Sequence, residues 1–386
     1  MTRPLMRRVG LALTAALLLA GCSTLDKINP FSSSKPKAKA AELAPLQATT
    51  DLRVLWQAKV GGAGDYVFTP AVFDNSVYAA GSDGTVARFD DGREVWRIMA
   101  GQKLSGGVGA DGKQVAVGTA KGEVLVFDAA TGKALWQARV SSEVLAAPAV
   151  GDGLVVVRSG DSRITGFAAA DGKRRWVYQR DTPALSLRSS VGVLMADRVV
   201  LAGFPGGKMV AINAQTGSSL WEVTVAQPKG ATELERVADL TSTPIVDGRE
   251  ICAAAFQGRV ACFDISAGSM SWGRDISSSA GLDLDKRRVY VSDDGGVVHA
   301  FSRESGASLW KQEKLSLRGL SRPLALGANV AVGDYQGYVH ILNAEDGAFS
   351  ARVGTDGSEI AAEPQRLKDG FVVQTRNGGL FALGNR

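Results

Sequence analysis

Tryptophan recurs at Trp56, Trp96, Trp136, Trp176, Trp221, Trp272 and Trp310, with spacings of 40, 40, 40, 45, 51 and 38 residues. A period of this size marks one small supersecondary unit repeated along the chain, as in a propeller or a solenoid. Glycine stands four residues ahead of six of them, in GREVW from Gly92, GKALW from Gly132, GKRRW from Gly172, GSSLW from Gly217, GSMSW from Gly268 and GASLW from Gly306. A further copy starts at Gly347, with Ala351 in the tryptophan place. A second signature, glycine followed five residues later by a bulky apolar residue, recurs out of phase from Gly84 and Phe89 to Gly378 and Leu383, with Ser162 as its one serine variant. It occurs eight times.

Around each tryptophan the pattern has period two. Val54, Trp56, Ala58 and Val60 are apolar while Arg53, Gln57 and Lys59 are polar, which is the alternation of a half-buried strand. Strings such as SDG before Thr85 and FQG before Arg259 supply hairpin turns. Each unit of about 42 residues is then a four-stranded antiparallel blade, within the range of propeller repeats. The first tryptophan precedes any glycine copy, and the last glycine copy runs to the C-terminus. The N-terminal strand must therefore complete the last blade, which leaves no open edge in the ring. The expectation is an all-β fold, an eight-bladed β-propeller over residues 51–386 with Val54 to Val60 as the outer strand of the final blade. The seven tryptophans are read as structural, each burying roughly 150–250 Å² between blades.

The first fifty residues differ in kind. Arg3, Arg7 and Arg8 precede an apolar run from Val9 to Ala20, too short for a membrane span, so residues 1–21 read as a signal peptide. Residues 22–50 are rich in Ser, Lys, Ala and Pro and read as a flexible tether. The net charge of +5 resides in these two segments, and the body from 51 to 386 is neutral. That excludes the broad basic field a nucleic-acid binder needs.

No P-loop, GxSxG, HExxH or CxxC string occurs. His299 and His340 occupy equivalent places in neighbouring blades, too far apart to share a zinc ion, and read as packed side chains. Neither a metal nor a cofactor is expected. Cys252 and Cys262 flank the turn at Gln257 and Gly258. A three-residue loop would set them opposite each other for a disulfide, whereas a two-residue loop would offset them and leave two buried thiols. Function is expected in loops. The long connections follow Trp176 and Trp221 in consecutive blades, and should form one raised patch from about 178–190 and 225–243. It holds Leu185 and Leu187 beside Arg188, then Glu233, Glu235, Arg236 and Asp239, a composition that fits a small hot spot with a charged rim.

Several of these strings resemble known families. Leu19-Ala20-Gly21-Cys22 resembles the lipobox of bacterial lipoproteins, which implies cleavage before Cys22, acylation of its thiol and, with Ser23 after it, delivery to the outer membrane. The DAATGKALW segment resembles the tryptophan-docking repeat of quinoprotein dehydrogenases. Nearly the whole chain resembles the BamB family, propeller lipoproteins of the outer-membrane β-barrel assembly (BAM) machinery, most specifically in ALSLR, ATELERVADLTSTP and the FQG hairpin between 184 and 264. This resemblance implies a non-enzymatic scaffold on the periplasmic face of the outer membrane. It implies Leu185, Leu187, Arg188 and Asp239 as contacts for the POTRA region of the barrel-forming subunit BamA. It leaves open unfolded outer-membrane proteins as a second class of partner. Thr241 departs from the family pattern, which has an acidic residue there. Two alternatives stand beside this reading, a quinone-dependent dehydrogenase with Ca²⁺ and a propeller lipoprotein for another envelope partner. The dehydrogenase lacks adjacent cysteines and the chain length for a catalytic cap.

Overall fold

The computed structural model describes residues 39–385. Its strands form eight four-stranded antiparallel sheets, arranged as an eight-bladed β-propeller, and no helix occurs among the described residues. In the first blade the order from the axis outward is Ala71–Phe73, Ser76–Ala80, Thr85–Asp90 and Arg93–Met99. The eighth blade combines Gln365–Leu367, Gly370–Gln374 and Gly379–Gly384 with Arg53–Lys59 as its outermost strand. The ring is closed by the start of the chain, as the phase of the two repeats requires.

The core is not one mass but a series of layers between blades. Leu154, Val156, Ile164 and Trp176 of the third blade pack on Val200, Ala202, Phe204 and Ile212 of the fourth. Middle strands, covered on both faces, read as continuous apolar runs such as Leu154–Arg158, whereas outer strands alternate. The alternation has one flaw that recurs in every blade. The residue before the tryptophan position is bulged out of the pairing of the outer strand, as at Leu55, Val95 and Leu135. The bulge shifts the phase, so Trp56, Ala58 and Val60 face inward while Val54, expected with them, is exposed.

Every repeat tryptophan but Trp221 packs against the repeat glycine of the next blade, and five of them also donate Nε1 to a carbonyl there. Trp136 Nε1 donates to Ala169 O (2.7 Å) and Trp176 Nε1 to Ala214 O (2.7 Å), each a carbonyl one blade on. The repeat glycine lies against the same ring. At Gly172 (φ +69°) a β-carbon would fall 2.5 Å from Trp136, so the position demands glycine for both its backbone and its neighbour. The seventh blade has Ala351 instead because the eighth has no such turn to clasp. There the outer strand Arg53–Lys59 is supplied from the N-terminal side and no turn joins it to the third strand, and Leu52 packs into the layer that holds Ala351.

The tether ends earlier than the composition implies. Residues 41–50 carry no regular structure, yet Thr49 and Thr50 donate to Ser350 O and Ala41 donates to Ser316 O. Residues 1–38, with the signal peptide and Cys22, lie outside the described residues.

Candidate functional site

Two kinds of link lie on one face of a propeller: the hairpins between second and third strands, and the connections from each outer strand to the next blade. The two long connections, residues 179–192 and 225–244, flank the hairpin of the fourth blade on this face. Leu185 and Leu187 are about 40% exposed in the first of them. Both stand among the exposed large apolar side chains of the described residues, a type that folded chains mostly bury.

Asp239 does not lie on the surface with them. It is 3% exposed, and its carboxylate accepts the backbone N–H of Leu187 (2.7 Å) and of Gly206 (3.1 Å). The residue expected as a contact is thus enclosed, and its carboxylate ties both long connections to the fourth-blade hairpin. It is enclosed because the neighbouring Leu240 must fill the space above Gly203, drawing the chain down into the blade. Beside it Arg158 donates to Gly203 O and lies 5.4 Å over the Phe204 ring. Desolvation pushes the Arg158 guanidinium down to about 10, and the charge of Asp239 opposes that shift.

Arg188 is exposed and oriented. Its Nε and Nη2 donate to the two oxygens of Glu143 at 2.8 Å each, and the guanidinium lies 5.9 Å from the Tyr66 ring centre. Glu143 belongs to the connection between second and third blades and Tyr66 to that between eighth and first. The Arg188 hydrogen bond holds the Glu143 carboxyl below its ordinary range, against partial burial. As an exposed pair it adds at most about 1 kcal/mol to stability, so its effect is orientation rather than stabilisation.

The second connection rises further. Residues 227–236 are all exposed, and their tip is a single tight turn fixed by reciprocal bonds of the capping-box kind. Glu235 N–H donates to Thr232 Oγ1 (3.3 Å), while Glu235 Oε2 accepts from the N–H groups of Ala231 (2.7 Å) and Thr232 (3.1 Å). With its amide turned to face them, Gln257 donates to the carbonyls of Leu234 and Val237 at 3.1 Å each. This turn presents Leu234 at 70% exposure. Sequence reasoning named the charged residues around Leu234 but not Leu234 itself, and the T-x-x-E spacing was the signal that marks it. Thr241 follows Asp239 in the same connection, with its hydroxyl buried and unpaired.

The remaining chemistry-bearing residues are accounted for elsewhere. Cys252 and Cys262 face each other in the three-residue-loop register and form a disulfide, with Cα atoms 4.1 Å apart. That bond removes the thiols from the cluster with Glu250, the one group of metal-ligand composition among the described residues. His299 Nε2 pairs with Asp293 (2.8 Å) and His340 Nε2 with Asp334 (2.9 Å), each six residues earlier.

A family profile described as outer membrane protein assembly factor BamB matches residues 82–312. The chain belongs to the BamB family. A BamB of Bordetella pertussis is 46% identical over 379 residues, covering 97% of this chain and 98% of that protein. The crystal structure of BamB from Moraxella catarrhalis superposes with a TM-score of 0.81 at 29% identity, over 86% of this chain and 99% of that one. The quinohemoprotein alcohol dehydrogenase of Comamonas testosteroni matches with a TM-score of 0.69 at 15% identity, over 87% and 77% of the two chains, a likeness of fold alone. BamB is described as an outer membrane protein assembly factor, not as an enzyme.

Proposed function

We propose that this chain is a non-enzymatic scaffold of the BAM complex, held at the periplasmic face of the outer membrane by acylated Cys22, and that its raised connections dock on the POTRA region of BamA. The observation that carries the docking surface is the buried Asp239 carboxylate, which holds the Leu187 backbone so that Leu185, Leu187 and Arg188 stand exposed in a fixed array. A preorganised array loses little freedom on binding, so a modest apolar contact suffices for affinity. Leu234 adds a second apolar anchor on the neighbouring connection, and Glu143, Glu233 and Arg236 form a polar rim. The scaffold role supplies no bond-breaking step. It brings the barrel-forming subunit and its clients together, with the propeller as a rigid mount.

The test is calorimetric titration of residues 23–386 into the POTRA region of the cognate BamA, beside a Leu187→Ala/Arg188→Ala variant whose fold is checked by circular dichroism. Saturable binding by the wild type and a loss of tenfold or more in the variant are expected. Absence of binding by the folded wild type sinks the reading, and full binding by the variant moves the docking site elsewhere on the propeller.

A further inference from the structure

The segment ahead of the first strand is built into the propeller rather than hung from it. Ala41 N–H donates to Ser316 O (2.9 Å), and Arg318 Nη1 donates back to Ala41 O (2.9 Å). Arg352 Nη1 donates to Ala44 O (2.9 Å), and the N–H groups of Thr49 and Thr50 converge on Ser350 O (2.8 and 3.2 Å). Leu43 packs on the apolar layer between the sixth and seventh blades. Residues 41–50 thus run along strand Phe349–Gly354, the outer edge of the seventh blade, in the opposite direction to it.

The two arginines are themselves held. Arg318, 2% exposed, donates Nε to Asp334 (2.7 Å), which also accepts a hydrogen bond from His340 Nε2 (2.9 Å). Arg352 Nε donates to His340 Nδ1 (3.2 Å). The sixth blade has the same aspartate and histidine pair, but Lys311 stands there where the seventh has Arg352. The seventh blade is therefore equipped, beyond the repeat, to hold two backbone carbonyls of this segment.

Direction gives the arrangement its consequence. The Phe349 end of the strand lies at the face of the third-to-outer hairpins, and the Gly354 end lies at the connection face, with Ser316. Strand Arg53–Lys59 starts from the hairpin face, so a tether joined directly to it would leave on the side away from Leu185, Leu187 and Arg188. With residues 41–50 docked, the chain leaves at Ala41, on the connection face. We propose that residues 41–50 are a strap that fixes the exit of the tether on the face of the raised connections, so that this face is turned toward whatever the tether is attached to. Ten of the residues that the composition reads as tether, 41–50, are thereby taken up by the propeller. The nature of the attachment rests on the lipid reading of Cys22, whereas the strap does not.

The test uses the full mature chain on phosphatidylethanolamine vesicles that carry an acceptor lipid, with a fluorescent amino acid at Gln227 on the connection face or at Thr131 on the hairpin face. Energy transfer is expected to be greater from position 227, and a Leu43→Asp/Arg352→Ala variant is expected to lose that order. Equal transfer from both positions in the wild type overturns the orientation. If the chain does not associate with vesicles, the lipid reading fails, and hydrogen exchange on the same chain decides the strap. Slow exchange at the Ala41, Thr49 and Thr50 amides supports it, and exchange at free-peptide rates overturns it, with no variant required to fold.

Discussion

Replacing Asp239 by alanine removes a charge that touches no solvent, yet it is expected to weaken partner binding through the neighbouring loop. The carboxylate accepts two backbone N–H groups, from Leu187 and Gly206, and hydrogen bonds to a charged acceptor contribute about 1.5–3 kcal/mol each. The Leu187 N–H can turn to water once released, so loss of that bond frees the loop rather than leaving a buried orphan. Taking about 2 kcal/mol for it, the docked loop becomes roughly 30-fold less favoured. Hydrogen exchange at the Leu187 amide should then rise by about that factor, while POTRA affinity falls only as far as the loop spends time undocked. Asp239→Asn, which keeps one acceptor oxygen, should lie between the two. The reasoning is refuted if Asp239→Ala leaves the Leu187 amide as protected as before. It is equally refuted if Asp239→Asn abolishes binding with the loop still docked, because the carboxylate would then be a contact and not a support.

Three further expectations concern the body. Trp176→Ala, which loses the bond to Ala214 and the packing on Gly217, should cost about 3–5 kcal/mol in denaturant unfolding, and Trp221→Ala clearly less, since Gly268 has open space where the other repeat glycines meet a ring. Removing both half-cystines with Cys252→Ala/Cys262→Ala should cost about 3 kcal/mol from loop entropy, and the native bond, fully buried, should resist reductant until the chain unfolds. Burial pushes the His340 imidazole below its usual 6.5, the Asp334 hydrogen bond opposing it, so the unfolded chain binds a proton that the folded chain refuses. Thermal stability should therefore decline as pH falls below about 6.5, and His340→Gln should flatten that part of the profile.

The architecture was legible because two repeats out of phase record both the blade and the closure of the ring. What escaped the pattern was physical detail that needs a neighbour. The repeat glycine reads as a turn, but at every copy except Gly268 its partner is the tryptophan of the preceding blade, which no spacing within one repeat reveals. Ala351 looks like a degenerate copy, whereas Leu52 occupies its layer in place of a clasp. Loop length located the raised connections, and exposure of Leu185 and Leu187 agrees with their place there. Its charge and the motif resemblance together set Asp239 among the contact residues with them. An aspartate accepting two backbone donors is as charged in sequence as one facing a partner, and only its enclosure by the fourth-blade hairpin separates the two. Composition failed similarly over residues 41–50, where backbone carbonyls, not side chains, make the attachment to Arg318 and Arg352.

The central claim, that the connection face docks on the barrel-forming subunit, is tested most directly by placing a photo-crosslinking amino acid at Leu187, Leu234 or Thr131 in cells that carry the intact assembly machinery. Crosslinks to the POTRA region of BamA from positions 187 and 234, and none from 131 on the opposite face, are the predicted result. Crosslinks to BamA from position 131 alone would contradict the account.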